Sequence, residues 1–177
     1  LVISGCPVFD SINLAFATAG TGGFAVLNSS AADYNAATQW ILTIFMILFG
    51  VNFNVYFLFY VKKWKDGLRC EEARAYLGII LGSVALISFN IYHLVRNVEL
   101  TVRQAAFQVA SIITTTGFSS TDFNQWPALS KTVLVLLMFV GACAGSTGGG
   151  IKVSRILILC KAAKKEFQLY LHPNAIK

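Results

Sequence analysis

The sequence has little charge for its length. Asp, Glu, Lys and Arg make up 12% of the 177 residues, about half of the fraction usual in soluble domains. Hydrophobic residues make up 56%. One soluble core of this size cannot bury so many apolar side chains, which indicates that a membrane is the solvent. The net charge of +6 would suit nucleic-acid binding in a soluble protein. Because the basic residues here flank apolar runs, we expect membrane lipid as the surroundings and no nucleic-acid partner.

The sequence also lacks the residue groups of enzymes and metal sites. Its four cysteines are far apart, no pair has the Cys-x-x-Cys spacing, and no histidine lies at ligand spacing. This pattern predicts neither a metal site nor a disulfide framework, and buried thiols are our interpretation. The glycine-rich segment 145–152 differs from a nucleotide-binding P-loop, because Ile151 separates the last glycine from the lysine. We therefore expect a protein that is not an enzyme and has no covalent cofactor.

Two short loops have the same pattern. The first loop is Thr21-Gly22-Gly23-Phe24, and the second loop is Thr115-Thr116-Gly117-Phe118. When the two loops are aligned on their Gly-Phe dipeptides, Thr21 matches Thr115. Because glycine reaches dihedral angles closed to other residues, successive carbonyl groups can point the same way, as in an ion selectivity filter. Two unrelated turns between helices are the alternative. The repetition of the loop together with its flanking helix pattern favours a filter.

Each loop follows a short helical pattern. The first pattern ends at Gly20, with Asp10 or Ser11 as the predicted N-cap. The second begins at the capping-box spacing of residues 101–104 and ends near Ile113. Both are too short to cross a bilayer and suit re-entrant helices. Their C-terminal dipole ends would be directed at the loops, and non-helical backbone at membrane depth must be buried in protein or line a water-filled cavity.

Three long apolar stretches complete the pattern. Residues 40–61 and 76–95 are free of charge, and each predicts one transmembrane helix. Asn52 and Asn54 inside the first stretch predict an interhelical hydrogen bond or, less often, a pore lining. The third apolar helix begins near Lys131 and continues to Val140.

The third apolar stretch is then interrupted by the glycine-rich break Gly141–Gly150, and its helical pattern resumes at Ile151. Glycines let a helix unwind, and neighbouring hydroxyl groups offer hydrogen bonds to the freed backbone. Adjacent glycines have a large conformational entropy, which favours a segment that plugs a pore and moves aside over a rigid kink. Lys152 and Arg155 suit interfacial anchors as well as gate elements. The candidate gate residues are Gly145, Ser146, Thr147, Gly148, Gly149, Gly150 and Lys152.

The basic residues predict the orientation. Residues 62–74 carry five Lys or Arg and residues 161–177 carry four, whereas residues 1–39 carry none. Because basic loops lie on the cytoplasmic side, we expect segments 62–75 and 161–177 in the cytoplasm and both loops entering from outside. This predicts a multi-pass protein of the cell (inner) membrane. The first residues show no signal-peptide pattern, and we expect the sequence to be a segment of a longer polypeptide that starts in mid-domain.

Three motifs resemble those of a known family. They are the stretch from Phe9–Asn13 through Ala19–Phe24, the segment Thr114–Phe123, and Gly145–Lys152. Together they are similar to the Trk/Ktr/HKT superfamily of potassium transporters, nearest to the bacterial Trk potassium-uptake branch (TrkH-like). The tail His172–Ala175 is similar to the segment after that family's third repeat. The order Ala19-Gly20-Thr21 and the alanine at position 25 depart from the family's usual residues, which leaves the side-chain details of the first loop open.

The resemblance implies an all-α polytopic membrane protein with four helix–pore-loop–helix repeats around a central ion pore, as in potassium channels. By that comparison, residues 1–61 are the second pore repeat without its first helix. Residues 62–75 are a cytoplasmic linker, and residues 76–167 are the third pore repeat with a glycine-broken inner helix. Residues 168–177 would begin the linker to a fourth repeat.

The resemblance also implies a function and partners. Potassium would be the transported ion and would bind at Gly22, Gly23, Thr116 and Gly117, with Gly23 and Gly117 as the filter glycines. The glycine-rich break would be an intramembrane gating loop. We expect serine at either filter glycine to weaken the discrimination of potassium from sodium, more mildly at Gly23. A homodimer and a cytosolic nucleotide-binding regulatory subunit would be the protein partners.

A second function stays open on the residues alone. A secondary transporter with broken helices could hold sodium or a small anionic solute at half-helix ends. Such a transporter predicts charged residues within the membrane and paired broken spans, whereas both re-entrant loops here carry no charge and are expected to enter from one side. A purely structural membrane protein gives no reason for two matched loops.

Overall fold

The fold is built from α-helices, as predicted. The structure is a computed structural model that describes residues 1–171, and this part of the chain contains no β-strand. The predicted motif His172–Ala175 and most of the linker predicted at 168–177 lie outside the described residues. The helices are α1 (Val8–Ala19), α2 (Ala36–Phe49), α3 (Phe53–Tyr60), α4 (Trp64–Leu68), α5 (Glu71–Val95), α6 (Val98–Ile113), α7 (Ala128–Val140) and α8 (Val153–Leu171).

Helix α1 ends at Gly20 as predicted, but it begins earlier than predicted, directly after Pro7. The N-cap predicted at Asp10 or Ser11 is therefore wrong, since both residues lie inside the first turns. Asp10 accepts a hydrogen bond from the Tyr34 hydroxyl at 2.8 Å instead. Burial, together with this hydrogen bond, raises the pKa of Tyr34. The contact ties the start of α1 to the segment that precedes α2.

Helix α6 ends at Ile113 as predicted, but the predicted capping box does not start it. The N-cap is Asn97, whose side chain accepts a hydrogen bond from the Leu100 N–H at 3.2 Å. Thr101 lies inside the first turn, where its hydroxyl donates to the Asn97 carbonyl at 2.6 Å. Asparagine is as good an N-cap as serine or threonine, and it comes first along the chain, so the helix starts there.

The stretch 40–61 does not form one helix, and the prediction of a single continuous span there is wrong. Helices α2 and α3 are bent by 87° at the intervening residues, Gly50–Asn52. The Asn52 side chain accepts a hydrogen bond from the Asn54 N–H at 2.9 Å and so caps a new helix. With 14 residues, α2 is about 21 Å long, which is shorter than the ~30 Å hydrocarbon core of a bilayer.

Helix α5 confirms that the second long apolar stretch, residues 76–95, forms one continuous helix. With 25 residues, it is the described helix that is by itself long and apolar enough to cross a membrane. Helices α2 and α3 would add a second span if the bent pair crosses as one unit. Two helical features were not predicted: α4 lies within the linker 62–75, and α5 starts inside the same linker at Glu71.

Helix α6 lies at the centre and packs against α2, α5 and α7, while α1 packs against α2. Residues 105–111 of α6 are all buried, and seven consecutive residues cover every face of a helix. Helix α7 ends at Gly141, and α8 begins at Val153, two residues later than predicted. Because each flanking helix ends near the loops, the packing brings both loops and the glycine-rich break to one place.

Candidate functional site

Both loops begin with the same helix-ending turn. After α1, the Gly22 N–H donates to the Ala17 carbonyl at 2.8 Å, and the Thr21 N–H donates to the Thr18 carbonyl at 3.3 Å. After α6, the Thr116 N–H donates to Ser111 at 2.9 Å, and the Thr115 N–H donates to Ile112 at 3.0 Å. These paired bonds define a Schellman motif, which uses a residue with left-handed backbone dihedrals.

The left-handed residue of each Schellman motif is a threonine. Thr21 has a φ angle of 49° and Thr115 has a φ angle of 57°. Positive φ angles are rare for a β-branched residue. Positive φ then returns two residues later in each loop, at Gly23 (68°) and Gly117 (89°). The loops aligned from the sequence thus have positive φ angles at the same two aligned positions.

The two loops lie directly against each other. A Cβ atom added to Gly23 would lie 1.9 Å from the Thr116 carbonyl oxygen and 3.3 Å from the Gly117 carbonyl carbon. Behind them, the Ala31 N–H donates to the Ser119 carbonyl at 2.8 Å. Only glycine fits at position 23, and its missing side chain lets the backbones of the two loops touch.

Hydroxyl groups hold the backbone of the second loop in place. The Thr114 and Thr116 hydroxyls are 2.7 Å apart, and the Ser111 hydroxyl donates to the Phe118 carbonyl at 2.6 Å. The Phe118 ring is 1% exposed and packs in a cluster with Leu14 and Phe107. These contacts tie the second loop to α6 and to the buried cluster.

The glycine-rich break lies against both loops. The Thr21 hydroxyl donates to the Thr147 carbonyl at 3.1 Å, and the Gly149 N–H donates to the Thr115 hydroxyl oxygen at 2.7 Å. A Cβ atom added to Gly148 would lie 2.9 Å from the Thr114 carbonyl oxygen. The two aligned threonines, one from each loop, therefore contact the same segment. The structure brings all three groups of predicted site residues together.

The break forms a closed loop between α7 and α8. The Ile151 N–H donates to the Phe139 carbonyl at 3.2 Å, and the Lys152 N–H donates to the Val140 carbonyl at 3.1 Å. The Lys152 ammonium group donates to the Gly148 carbonyl inside the loop. As expected from the sequence, Ser146 bonds freed backbone: its hydroxyl donates to the Cys143 carbonyl at 2.6 Å.

Sequence reasoning missed a second break and the residue that joins it to the first. The Cys143 N–H donates to the Gly50 carbonyl at 3.1 Å, so the break after α7 contacts the break after α2. The Glu72 carboxylate accepts two hydrogen bonds, one from the Asn52 side-chain amide at 3.1 Å and one from the Ala144 N–H at 2.5 Å. The interhelical hydrogen bond expected of Asn52 is thus present. Glycine and asparagine two residues apart in an apolar run were the available signal for the break. The sequence offers no signal for the role of Glu72, because this residue lies in a charged linker.

Oxygen atoms are the available cation ligands at these loops. Residues 1–171 contain no group of three or more His, Cys, Asp and Glu side chains that could hold a metal ion. The polar atoms of the two loops are backbone groups and threonine hydroxyls. Such neutral oxygens can replace the hydration shell of a monovalent cation without holding it by a full charge.

A family model, described as TrkH, cation transport protein, matches residues 3–177. The Trk system potassium uptake protein TrkH of Salmonella typhimurium is 36% identical over 180 residues, which cover 99% of this chain and 37% of that protein. TrkH of Escherichia coli (strain K12) is 35% identical with the same coverages. TrkG of the same strain is 32% identical, over 98% of this chain and 36% of that protein. The chain thus spans little more than a third of the length of these relatives.

A solved structure is also similar to this chain. The crystal structure of the potassium transporter TrkH from Vibrio parahaemolyticus superposes with a TM-score of 0.93 and 31% sequence identity. The match covers 99% of this chain and 39% of that one. It confirms the predicted all-helical membrane-transporter fold, and the family model confirms the resemblance drawn from the loop and break motifs. The chain belongs to the TrkH family of cation transport proteins.

Proposed function

We propose that this chain forms part of a potassium uptake pathway in which the first and second loops are two sides of a carbonyl-lined selectivity filter. The observation that carries the proposal is the contact between two loops with matching positive φ angles. Potassium would bind at Gly22, Gly23, Thr116 and Gly117. The names of the relatives, which are potassium uptake proteins, support this choice of ion.

The chemistry of the loops suits a dehydrated monovalent cation. Carbonyl oxygens that face one cavity can replace the hydration shell of such an ion. The C-terminal ends of α1 and α6 are directed at the loops, and their dipoles add partial negative charge there. Because no carboxylate lies in either loop, an ion would not be trapped by a full opposite charge and could move on.

We propose in addition that the segment from Gly145 to Gly150, with Lys152, is a gate. Its support is the contact of the segment with Thr21 and Thr115, one threonine from each loop. A cation leaving the loops towards α8 would meet this segment. Opening it would require the release of both contacts, which are hydrogen bonds of 3.1 Å and 2.7 Å between backbone and hydroxyl groups.

The repeat organisation and the orientation are also proposals. Residues 1–61 would be a second pore repeat and residues 76–167 a third, within a longer protein of the inner membrane. In this arrangement, the inner helix of the second repeat is the bent pair α2 and α3. Segments 62–75 and 161–177 would be cytoplasmic. Labelling of a cysteine placed at the exposed Gln125 from outside, with none at the exposed Lys65, is the expected pattern. The reverse pattern would contradict the proposed orientation.

The proposed partners rest on the family. The relatives are named as parts of a Trk system, which supports a transporter that works with other components. We propose a homodimer and a cytosolic nucleotide-binding regulatory subunit as those partners, with membrane lipid around them. The exposed basic residues Lys62, Lys63, Lys65 and Arg69 would lie on the side of the membrane where a cytosolic subunit binds.

One observation favours the alternative function. A secondary transporter for sodium or a small anionic solute predicts paired broken spans, and the breaks after α2 and α7 are such a pair. The two loops distinguish the alternatives, because a broken-helix site would not need them. A transporter of the alternative type would keep its ion preference when the loops are altered.

The test replaces Gly117 by alanine in the complete protein. Position 117 has open space around it but a φ angle of 89°, so the added Cβ acts on the backbone dihedrals and on nothing else in this chain. We expect the variant to lose its preference for potassium over sodium, measured as ion flux into vesicles. Gly82→Ala is the matched control, since Gly82 also has open space but lies in a regular helix. Unchanged ion preference in Gly117→Ala would favour the alternative function.

A further inference from the structure

The break after α2 and the break after α7 interlock. The Cys143 N–H donates to the Gly50 carbonyl, and the Phe53 N–H donates to the Gly145 carbonyl, both at 3.1 Å. Each break thus supplies one donor and one acceptor to the other. A helix break leaves backbone groups without their intrahelical partners, and these two breaks partly satisfy each other. Neither segment can move far without releasing the other.

Glu72 joins the same two breaks from a third element. It lies in the first turn of α5, and its two carboxylate oxygens accept from different breaks: one from the Asn52 amide at 3.1 Å, the other from the Ala144 N–H at 2.5 Å. Asn52 uses its own side-chain oxygen to cap α3. Within residues 1–171, both ion pairs that the structure contains involve other carboxylates. The half-buried Glu72 is thus held by amide donors.

We propose that Glu72 is a positioning residue that holds the proposed gate closed and couples its movement to the break between α2 and α3. This inference rests on the proposed function only in that it takes segment 145–150 to be a gate. The contacts of Glu72 do not depend on that role. When the segment 145–150 moves away from the loops, the Ala144 N–H must leave the carboxylate. Opening would therefore be accompanied by a change at Gly50–Asn52.

The neighbouring Glu71 provides the matched control. It is exposed and pairs with Lys161 of α8, away from both breaks. Exposed ion pairs contribute little to stability. Glu71→Gln and Glu72→Gln make the same chemical change one residue apart, so a difference between them reports the contacts of Glu72.

Glu72→Gln keeps the shape of the side chain and creates a donor mismatch. Its Oε1 can still accept from the Ala144 N–H, but its amide nitrogen then faces the Asn52 amide nitrogen, and both are donors. Adding Asn52→Asp restores a match, because an aspartate oxygen accepts from the new glutamine. The second aspartate oxygen can still cap α3. The double variant also keeps the net charge of the chain.

The native thiol of Cys143 reports the position of the break independently of ion flux. Cys143 is 0% exposed, so a thiol reagent can reach it only when the segment moves. The experiment uses the full-length protein in vesicles, with every other cysteine replaced by alanine. It measures the rate of Cys143 labelling by a small membrane-permeant maleimide, and in parallel the resting potassium flux.

We expect Glu72→Gln to raise both the labelling rate and the resting flux about tenfold, the size expected from one lost charged hydrogen bond. Glu71→Gln should match the parent protein, and the double variant should return both quantities towards the parent. A labelling rate in Glu72→Gln equal to that in Glu71→Gln overturns the proposal. So does a double variant that behaves like Glu72→Gln, whether the shared defect is in labelling or in membrane insertion.

The two readouts separate this inference from the proposed function. If Cys143 labelling rises in Glu72→Gln and falls again in the double variant while flux stays constant, Glu72 does hold the segment. The segment would then not be a gate, and the proposed function would lose that part. If deletion of residues 144–149 raises flux but Glu72→Gln changes neither quantity, the gate stands and the role of Glu72 is refuted.

Discussion

The first and second loops have matching helix-ending turns and φ signs but different surroundings. Each begins with a Schellman motif on a threonine and returns to positive φ at a glycine. Phe118 of the second loop is 1% exposed, whereas Phe24 at the aligned position is 81% exposed. Residues 105–111 of α6 are buried on all faces, and α1 buries only Ser11, Leu14 and Thr18 along one face. Local hydrogen bonds therefore determine the turn, and the neighbouring helices determine how much of it is buried.

The two aligned glycines, Gly23 and Gly117, also differ in the space around them. Gly23 touches the backbone of the second loop, while Gly117 has open space around it. The sequence alone led us to expect the milder substitution effect at Gly23. The packing favours the opposite order, because a Cβ at position 23 has both a strained φ angle and no room, and a Cβ at position 117 has only the strain.

The largest effect is predicted for Gly23→Ala. Its Cβ would lie 1.9 Å from the Thr116 carbonyl oxygen, so the two loops would have to separate. We expect the complete protein to lose potassium preference and to unfold at a clearly lower temperature in detergent. Gly117→Ala should cost only the left-handed strain of about 1–2 kcal/mol. Equal destabilisation by the two variants, in thermal unfolding followed by size-exclusion chromatography, would show that the loops do not touch.

The next effect concerns the two phenylalanines. Phe118→Ala removes a fully buried ring and should destabilise the protein by about 3–5 kcal/mol. Phe24→Ala removes an exposed ring, and a surface substitution of this kind changes stability by about 0.5 kcal/mol or less. Chemical unfolding of both variants in the same detergent measures the difference. A large loss at Phe24 would mean that a part of the protein outside this chain covers the first loop.

The smallest effect is predicted at the aligned threonines. Thr115→Val leaves the Gly149 N–H without its acceptor at 2.7 Å, which should weaken closure by about 1 kcal/mol and raise resting flux roughly fivefold. Thr21→Val should change flux less, because its contact with Thr147 is longer, at 3.1 Å. The single Thr21 hydroxyl hydrogen is also shared with the Gly20 carbonyl oxygen, which is closer, at 2.8 Å. Flux into vesicles without any regulatory subunit is the measurement. A larger rise in Thr21→Val would reverse the assignment of the main contact.

Some features could be read from the sequence because their signals are local. Gly20 and the threonine row at 114–116 mark where α1 and α6 end, since a helix end depends on a few neighbouring residues. The length and apolar content of residues 76–95 predicted α5, because a long charge-free run has few other stable conformations. The alignment of the two loops on their Gly-Phe pairs also matched the positions that share positive φ angles, although the helix-ending turn itself was not predicted.

Other features depended on the tertiary structure, because they join residues that are far apart in the sequence. The bend of 87° between α2 and α3 lies in an apolar run that looks continuous, and the break after α7 stabilises it through the Gly50 carbonyl. Glu72 looks like one more charge of a basic linker until α5 places it beside Asn52 and Ala144. The sequence by itself determined where the loops and the glycine-rich break are. Only the packing of α1, α2, α5 and α6 decided that these segments touch, because contacts across 20 to more than 100 residues have no local pattern.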